Sequence, residues 1–279
     1  MDKLKPEVFR YKITNIDALP TLPRTLKHLL KLLEKPNVSL TEIGEFVSND
    51  PVIAAKVLKM VNSAIYGFSG RISSVKQAVI LLGMNVVKGM LLGISIFELM
   101  QETMVGLWEH SIGCSVAARI IAQKRGFKET EEISVSALLH DIGKVVLILQ
   151  YPDRYEYAMK KTQDRGVVIG MAEEEVFPAN HAEAGSWITE KWRFPKVLTE
   201  TIRYHHKPHL SKTFLYEASI VSLADVLVRA RGFGFAGDML VPSVKSDVWE
   251  RLEMTEADLR DIFREMEYSM ADADMLAFE

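Results

Sequence analysis

The sequence predicts an all-α fold. Three observations lead there: apolar residues recur at helical spacing through most of the chain, capping residues and prolines punctuate it at short intervals, and period-two strand patterning is nearly absent. With 279 residues, 48% of them hydrophobic, there is material for one large core or two ordinary ones.

The elements follow in chain order. In "PRTLKHLLKLLE" Leu26, Leu29, Leu30 and Leu33 fall on one helical face, with Pro23 suited to the start and Pro36 to the end. "SLTEIGEFVSNDPVIAAKVLKMVNSAIYG" reads as two short helices, the second opened by Asp50 as N-cap and Pro51 as first helical residue. Ser73 or Ser74 caps "VKQAVILLG". Residues 78–100 approach the roughly 20 residues of a membrane-spanning helix. Asn85, Lys88 and the glycines argue against a span, so this stretch is expected to be two buried helices meeting near Gly83.

A second block, 101–279, follows the first, 1–100. "SIGCSVAARIIAQKRGF" is a helix that packs Val116, Ile120 and Ile121 and closes at Gly126. "EEISVSALLHDIGKVVLILQYP" is long and apolar apart from a central trio of His140, Asp141 and Lys144. "EEEVFPANHAEAGSWITEKWRFP" supplies a helix ending near Arg193, and Pro195 starts another that Pro208 ends. "YEASIVSLADVLVRARG" is helical, "GFGFAGDMLVPS" is a loop, and Thr255 with Asp258 forms a capping box for a last helix striped by Leu259, Ile262, Phe263 and Met266.

Composition narrows the function classes. The net charge of −3 removes the simplest case for a nucleic-acid binder; residues 1–100 carry 13 Lys and Arg against 8 Asp and Glu, a balance of +5 that leaves −8 for the remainder. The first block has a helix-turn-helix flavour, yet its candidate recognition segments "PVIAAKVLKMV" and "NVVKGMLLGIS" offer few side chains for base edges, which argues against DNA readout. A single cysteine excludes an intramolecular disulfide framework, and "MDKLKPEVFR" has no signal-peptide core, so a reducing cytoplasm and no membrane association are expected. Cys114 lies mid-helix among apolar residues, which argues against a structural thiolate zinc site.

The central trio poses the chemical question. A buried unpaired carboxylate costs many kcal/mol unless it finds a partner or a metal. Asp141 has two bland solutions: a pair with Lys144 at i+3, or a helix end that lets the polar groups reach water. The remaining histidines and oddly placed acids are His110, His181, His205, His206 and Asp225. Each histidine alone reads as a helix-end residue, but Asp225 lies in "IVSLADVLV" with no basic neighbour before Arg229. Taken together, these imidazoles and carboxylates suit a divalent transition metal, or two metals sharing Asp141 and activating a water.

The order His, His-Asp, His, His-His, Asp along successive helices, with "LLHDIGK" at its centre, resembles the HD superfamily of metal-dependent phosphohydrolases. "LPTLPRTLKHLLKLL", "VSNDPVIAAKVLKMVNSAIYG", "ISSVKQAVILLGMNVVKGMLLG" and "HAEAGSWITEKWRFPKVLTETIRYHHKP" are similar to the HDOD domain, the HD-related output domain of bacterial signalling proteins, over about residues 15–265. The resemblance implies an HD-like helical bundle with an additional N-terminal helical subdomain. It implies metal ligands at His110, His140, Asp141, His181, His205, His206 and Asp225. It also implies that Asp141 is catalytically central and that Lys144 contacts a substrate phosphate.

The implied cofactor is one or two divalent ions, Fe or Mn favoured and Ni, Co or Zn as alternatives, or none. The implied role is a regulatory module acting through signalling protein partners or a nucleotide or phosphate ligand, with a metal-dependent phosphohydrolase as the alternative. The oligomeric state stays open. Two departures matter. No Gly-Tyr-Pro follows the paired histidines in "HHKPHLSKTFLYE", which argues against cyclic-dinucleotide hydrolysis. Pro178 and Asn180 stand where the family commonly shows a Gly and an Asp, which leaves that loop's geometry open. Arg119, Arg154 and Arg203 are further phosphate-contact candidates, with surface solvation the simpler reading of each.

Overall fold

The computed structural model describes residues 4–19, 21–48, 50–63, 66 and 72–273. Among these every regular element is helical. The first six helices are α1 (Pro6–Thr14), α2 (Arg24–Leu33), α3 (Leu40–Ser48), α4 (Pro51–Val61), α5 (Val75–Leu82) and α6 (Met84–Thr103). The next five are α7 (Leu107–Lys124), α8 (Thr130–Leu139), α9 (Ile142–Gln150), α10 (Pro152–Arg165) and α11 (Ile169–Val176). The last five are α12 (His181–Lys191), α13 (Lys196–Tyr204), α14 (Leu215–Arg231), α15 (Ser246–Leu252) and α16 (Glu256–Ala273).

Local signals account for most of these boundaries. Asp50 accepts from the amides of Val52 and Ile53 at 3.1 Å and opens α4. Ser74, rather than Ser73, caps α5 through the Gln77 amide at 3.1 Å. Gly83, with φ of 84°, turns the chain from α5 into α6, so residues 78–100 are two helices. Among the described residues no helix is long and apolar enough to cross a membrane. Thr255 and Asp258 form the expected reciprocal cap, with Thr255 Oγ1 donating to the carboxylate at 2.6 Å and accepting from the Asp258 amide at 3.1 Å. The "AI" and final "G" of the "NSAIYG" motif, residues 64, 65 and 67, lie outside the described residues.

The stretch around Asp141 takes the helix-end alternative, though without reaching water. The apolar run 131–152 is not one helix: α8 ends at Leu139, α9 begins at Ile142, and Asp141 holds φ −96° and ψ 7° at the junction. Likewise "EEEVFPANHAEAG" does not run continuously, because α11 ends at Val176 and α12 begins at His181. Asn180 makes that second start: it accepts from the Glu183 amide at 3.2 Å and donates to Glu174 at 3.1 Å, so the loop carrying Pro178 is well formed without the family's residues.

Packing gathers these ends. α7 lies centrally against α8, α14 and α16, while α12 packs on α9 and α13. Gly143 on α9 meets α12 so closely that a Cβ there would sit 1.9 Å from the His181 carbonyl oxygen. A continuous apolar core runs from Phe9 on α1, through the α2 leucines and α6, to Ile262 and Met266 of α16.

Candidate functional site

Five helix ends and one mid-helix position bring the predicted residues together. His110 lies in the first turn of α7, His140 and Asp141 at the α8–α9 junction, and Lys144 one turn into α9. His181 opens α12, His205 and His206 follow α13, and Asp225 projects from the middle of α14. All are buried except His206, which keeps an edge to solvent; the relative exposure of Asp141 and His140 is 0%. The reading of His181, His205 and His206 as separate solvated helix ends therefore fails. Helix ends are used because only there does the backbone leave the helical path and let consecutive polar residues converge.

The carboxylate of Asp141 is the common point. Its Oδ2 lies 2.6 Å from Lys144 Nζ, 3.3 Å from His140 Nε2 and 3.6 Å from His110 Nε2. Its Oδ1 faces the other way, 3.3 Å from His181 Nε2, and has no hydrogen-bond partner. The i+3 pair with Lys144 and the histidine cluster thus coexist. His110 Nε2 also lies 3.2 Å from Asp225 Oδ1. On the far side His181 Nε2 is 3.4 Å from His205 Nε2 and 2.9 Å from His206 Nε2.

Outer partners fix which ring nitrogen points inward. His140 Nδ1 lies 2.6 Å from the Ala137 carbonyl and His205 Nδ1 2.6 Å from the Ile202 carbonyl. A carbonyl only accepts, so each Nδ1 carries a proton and each Nε2 is the nitrogen turned toward the cluster. His181 Nδ1 is held at 2.5 Å by Glu173. Glu173 is itself buried, accepting from the His181 amide at 2.8 Å and from the Tyr155 hydroxyl at 2.9 Å. This is the outer-sphere arrangement of metal-binding histidines, in which the second nitrogen donates to a carboxylate or carbonyl.

Electrostatics follow the same division. Burial and then the neighbouring imidazoles hold His205 and His206 well below the ordinary histidine range, so both are neutral, the form that ligates metal. Burial alone would raise Asp141 and Asp225. His140 and Lys144 reverse this for Asp141, and His110 and Arg229 reverse it for Asp225, so both stay ionised well below the usual carboxylate range. For His140 burial is the largest influence and lowers the ring, but the Asp141 charge and hydrogen bond together with the Asp225 charge outweigh it and hold the ring above its ordinary value.

The donor set fits a metal. His181 Nε2 and His205 Nε2 face each other across 3.4 Å, a separation that two ligands of one ion can hold, and the buried His140 Nε2 and Asp141 Oδ1 have no hydrogen-bond partner. Three overlapping groups have donor atoms near enough to share an ion: His110, Cys114, His140 and Asp225; His140, Asp141 and His205; and His181, His205 and His206.

Three contributors lie outside the sequence-based expectation, and Cys114, which that expectation sets aside as a structural thiolate zinc ligand, stands beside them. Glu173 is one of three successive glutamates, and only the packing of α11 turns it inward. Cys114 stands one helical turn after His110, with Sγ 3.5 Å from its Nε2; i+4 spacing was the available signal. The loop after α14 closes over the cluster, Lys144 Nζ donating to the Ala236 carbonyl at 2.8 Å and the Phe235 amide to the Gly106 carbonyl at 2.8 Å. Asp238 anchors that loop through Arg229 and through the Ile169 amide at 2.7 Å. The three arginine candidates lie elsewhere: Arg119 donates to the Tyr66 carbonyl at 2.7 Å, Arg203 is exposed, and Arg154 lines a groove beside Pro6 and Tyr157.

Known proteins bear on this arrangement. Over 219 residues the chain is 27% identical to an uncharacterized protein of Treponema pallidum (strain Nichols), covering 77% of this chain and 43% of that protein. The chain therefore spans less than half the length of the curated relative it matches. Among solved structures it is similar to an HDOD domain protein with unknown function from Geobacter sulfurreducens, with 26% identity, a TM-score of 0.70 and coverage of 99% of this chain and 100% of the other. It shares its fold with a protein of Marinobacter aquaeolei VT8 provisionally named for signal transduction, with 22% identity, a TM-score of 0.68 and coverage of 95% and 61%. The family profile described as HDOD domain matches residues 19–208, well over half of the sequence, and the chain belongs to the HDOD domain family.

Proposed function

We propose that the chain is a signalling output module of the HDOD type, whose HD-type cluster holds one or two divalent transition ions and which acts through contacts with a protein partner or a small ligand. His110, His140, Asp141 and Asp225 would hold one ion and His181, His205 and His206 another, with Asp141 between them. The observation that carries this reading is depth: His110, His140, Asp141, Lys144, His181 and His205 are each no more than 1% exposed. Lys144, the phosphate-contact candidate, spends its ammonium on Asp141 and on the Ala236 carbonyl. A hydrolytic centre needs an open coordination position beside its substrate, and here the α14–α15 loop packs on Lys144 through the Ala236 carbonyl. The name given to the Marinobacter relative points the same way.

A second reading, a metal-dependent phosphohydrolase acting on a nucleotide-like phosphoester, draws on the division of Asp141, whose two oxygens face two different histidine groups. Bound there, a bridged pair of ions would supply an activated water and charge stabilisation for phosphoryl displacement. The absence of Gly-Tyr-Pro continues to argue against cyclic dinucleotides as substrates.

The test is elemental mass spectrometry on protein purified anaerobically without chelator, alongside His140→Ala and Asp141→Ala, followed by a phosphoester screen with Mn²⁺ or Fe²⁺. Bound metal lost in both variants, with no turnover, is the expected result. Turnover abolished by Asp141→Asn would replace the regulatory reading with the second one. Folded wild-type protein without metal would sink both.

A further inference from the structure

We infer that Cys114 is a ligand of this centre, so that the ion nearest α7 takes Cys114 in addition to His110, His140, Asp225 and the shared Asp141. The inference rests on the reading that the centre holds a metal. Cys114 Sγ lies 3.5 Å from His110 Nε2, and His110 Nε2 lies 3.2 Å from Asp225 Oδ1. Two ligands at a near-tetrahedral angle on one ion, with metal–N and metal–O distances of about 2.0 Å and metal–S of about 2.3 Å, place S roughly 3.5 Å from N and N roughly 3.3 Å from O. The two observed separations match that set without any side chain moving.

A second observation points to an occupant. His140 Nε2 is fully buried, lacks a hydrogen-bond partner and belongs to the same group of converging donors. Helix geometry explains why Cys114 reaches: it stands one turn beyond His110, and α7 presents i and i+4 side by side.

Coordination replaces the S–H proton by the metal, and the proton leaves to solvent, so uptake of the ion releases one proton at this ligand. One thiolate also divides the centre chemically. The α7 half gains a soft donor that favours Zn or Fe, whereas the His181, His205 and His206 half keeps only imidazoles beside Asp141.

The chain has a single cysteine, so any thiolate-to-metal signal reports Cys114 alone. The full chain is loaded with Co²⁺ for absorption spectroscopy, and with Zn²⁺ for X-ray absorption at the zinc edge. The expected result is a near-ultraviolet sulfur-to-cobalt charge-transfer band and a sulfur shell at about 2.3 Å, distinct from nitrogen and oxygen at about 2.0 Å. Both should be lost in Cys114→Ser and retained in His181→Ala, with metal affinity in Cys114→Ser reduced at least the roughly 10-fold that loss of an outer-sphere partner costs. Cobalt bound with its visible bands but without the charge-transfer band overturns the inference while leaving the metal reading intact. No cobalt or zinc bound to folded wild-type protein overturns both. The wild-type spectrum alone decides should Cys114→Ser fail to fold.

Discussion

Asp141 and Lys144 meet at 2.6 Å with both side chains at or below 1% exposure, so neither charge has water to fall back on. Removing one partner of a buried ion pair strands the other and costs about 3–5 kcal/mol, whereas replacing both by apolar groups is often near neutral. Asp141→Asn is therefore expected to lower unfolding free energy by an amount in that range, and Asp141→Asn with Lys144→Met to recover much of it. Urea unfolding of the two single variants and the double variant gives the coupling directly; strictly additive losses would show that the histidines, rather than Lys144, hold the carboxylate. Glu173 poses a separate case, since it touches only His181 and Tyr155 of the buried set. Glu173→Gln keeps the shape and removes the charge, and should weaken metal binding about 10–100-fold in chelator competition. An unchanged affinity would make Glu173 a packing residue. Asp141 was readable in the sequence because a charge amid "ALLHDIGKVVLIL" demands compensation. Glu173 was not, because nothing local distinguishes it from Glu174 and Glu175, which face solvent and pair with Lys207 and Lys161.

At the scale of elements, what the sequence shows is what is decided within a turn or two. Asp50, Ser74 and Thr255 with Asp258 are legible because a cap is a contact between residues two or three apart. The break at His140–Asp141 is only half legible: a helix end is one of the two solutions the sequence offers for Asp141, but the residues on both sides favour helix, and α12 packs directly on α9 at the junction. Gly143 marks that pressure. A Cβ there would lie 1.9 Å from the His181 carbonyl oxygen and 2.8 Å from the Gly185 amide, both backbone atoms that no rotamer change moves aside. Gly143→Ala must part α9 from α12 and is expected to cost at least the roughly 1–3 kcal/mol of an overpacked core. Gly185→Ala, whose Cβ would meet the Ile202 side chain at 3.0 Å, should cost less. Thermal melts of the two variants test the order, and equal losses would remove the argument.

At the start of α3 the Ser39 amide donates to the Glu42 carboxylate at 2.9 Å and the Glu42 amide to Ser39 Oγ at 3.2 Å, a reciprocal cap that gives a pH prediction. Lys35 and Ser39 hydrogen bonds lower the Glu42 carboxyl from 4.5 to about 2. A depressed carboxylate stabilises the fold fully above its unfolded value and loses that contribution as pH falls from about 4.5 toward about 2. The Glu42 side-chain carbon resonance should then still be ionised at a pH where unfolded glutamate is half protonated. A midpoint at the ordinary glutamate value would show that the cap does not form in solution.

Across the whole molecule the centre joins chain segments that are far apart in sequence: α7, the α8–α9 junction, α12, the end of α13 and α14. Their convergence exists only in the folded state, so an ion that needs all of them binds the native chain and not the unfolded one. Such a ligand at 100 times its dissociation constant adds about 2.7 kcal/mol of stability, which for a chain of this size is a rise in Tm of roughly 5–10 °C. Chelator should remove that increment from wild-type protein and leave the Tm of Asp141→Ala unchanged, since that variant has already lost the shared ligand. The comparison separates a bound ion from general effects of chelator, which would lower both proteins alike. If wild-type Tm is the same with and without chelator, and added Mn²⁺, Fe²⁺ or Zn²⁺ does not raise it, then a proton rather than an ion lies between His181 and His205. The cluster would then be a buried hydrogen-bond network holding five segments together rather than a metal centre.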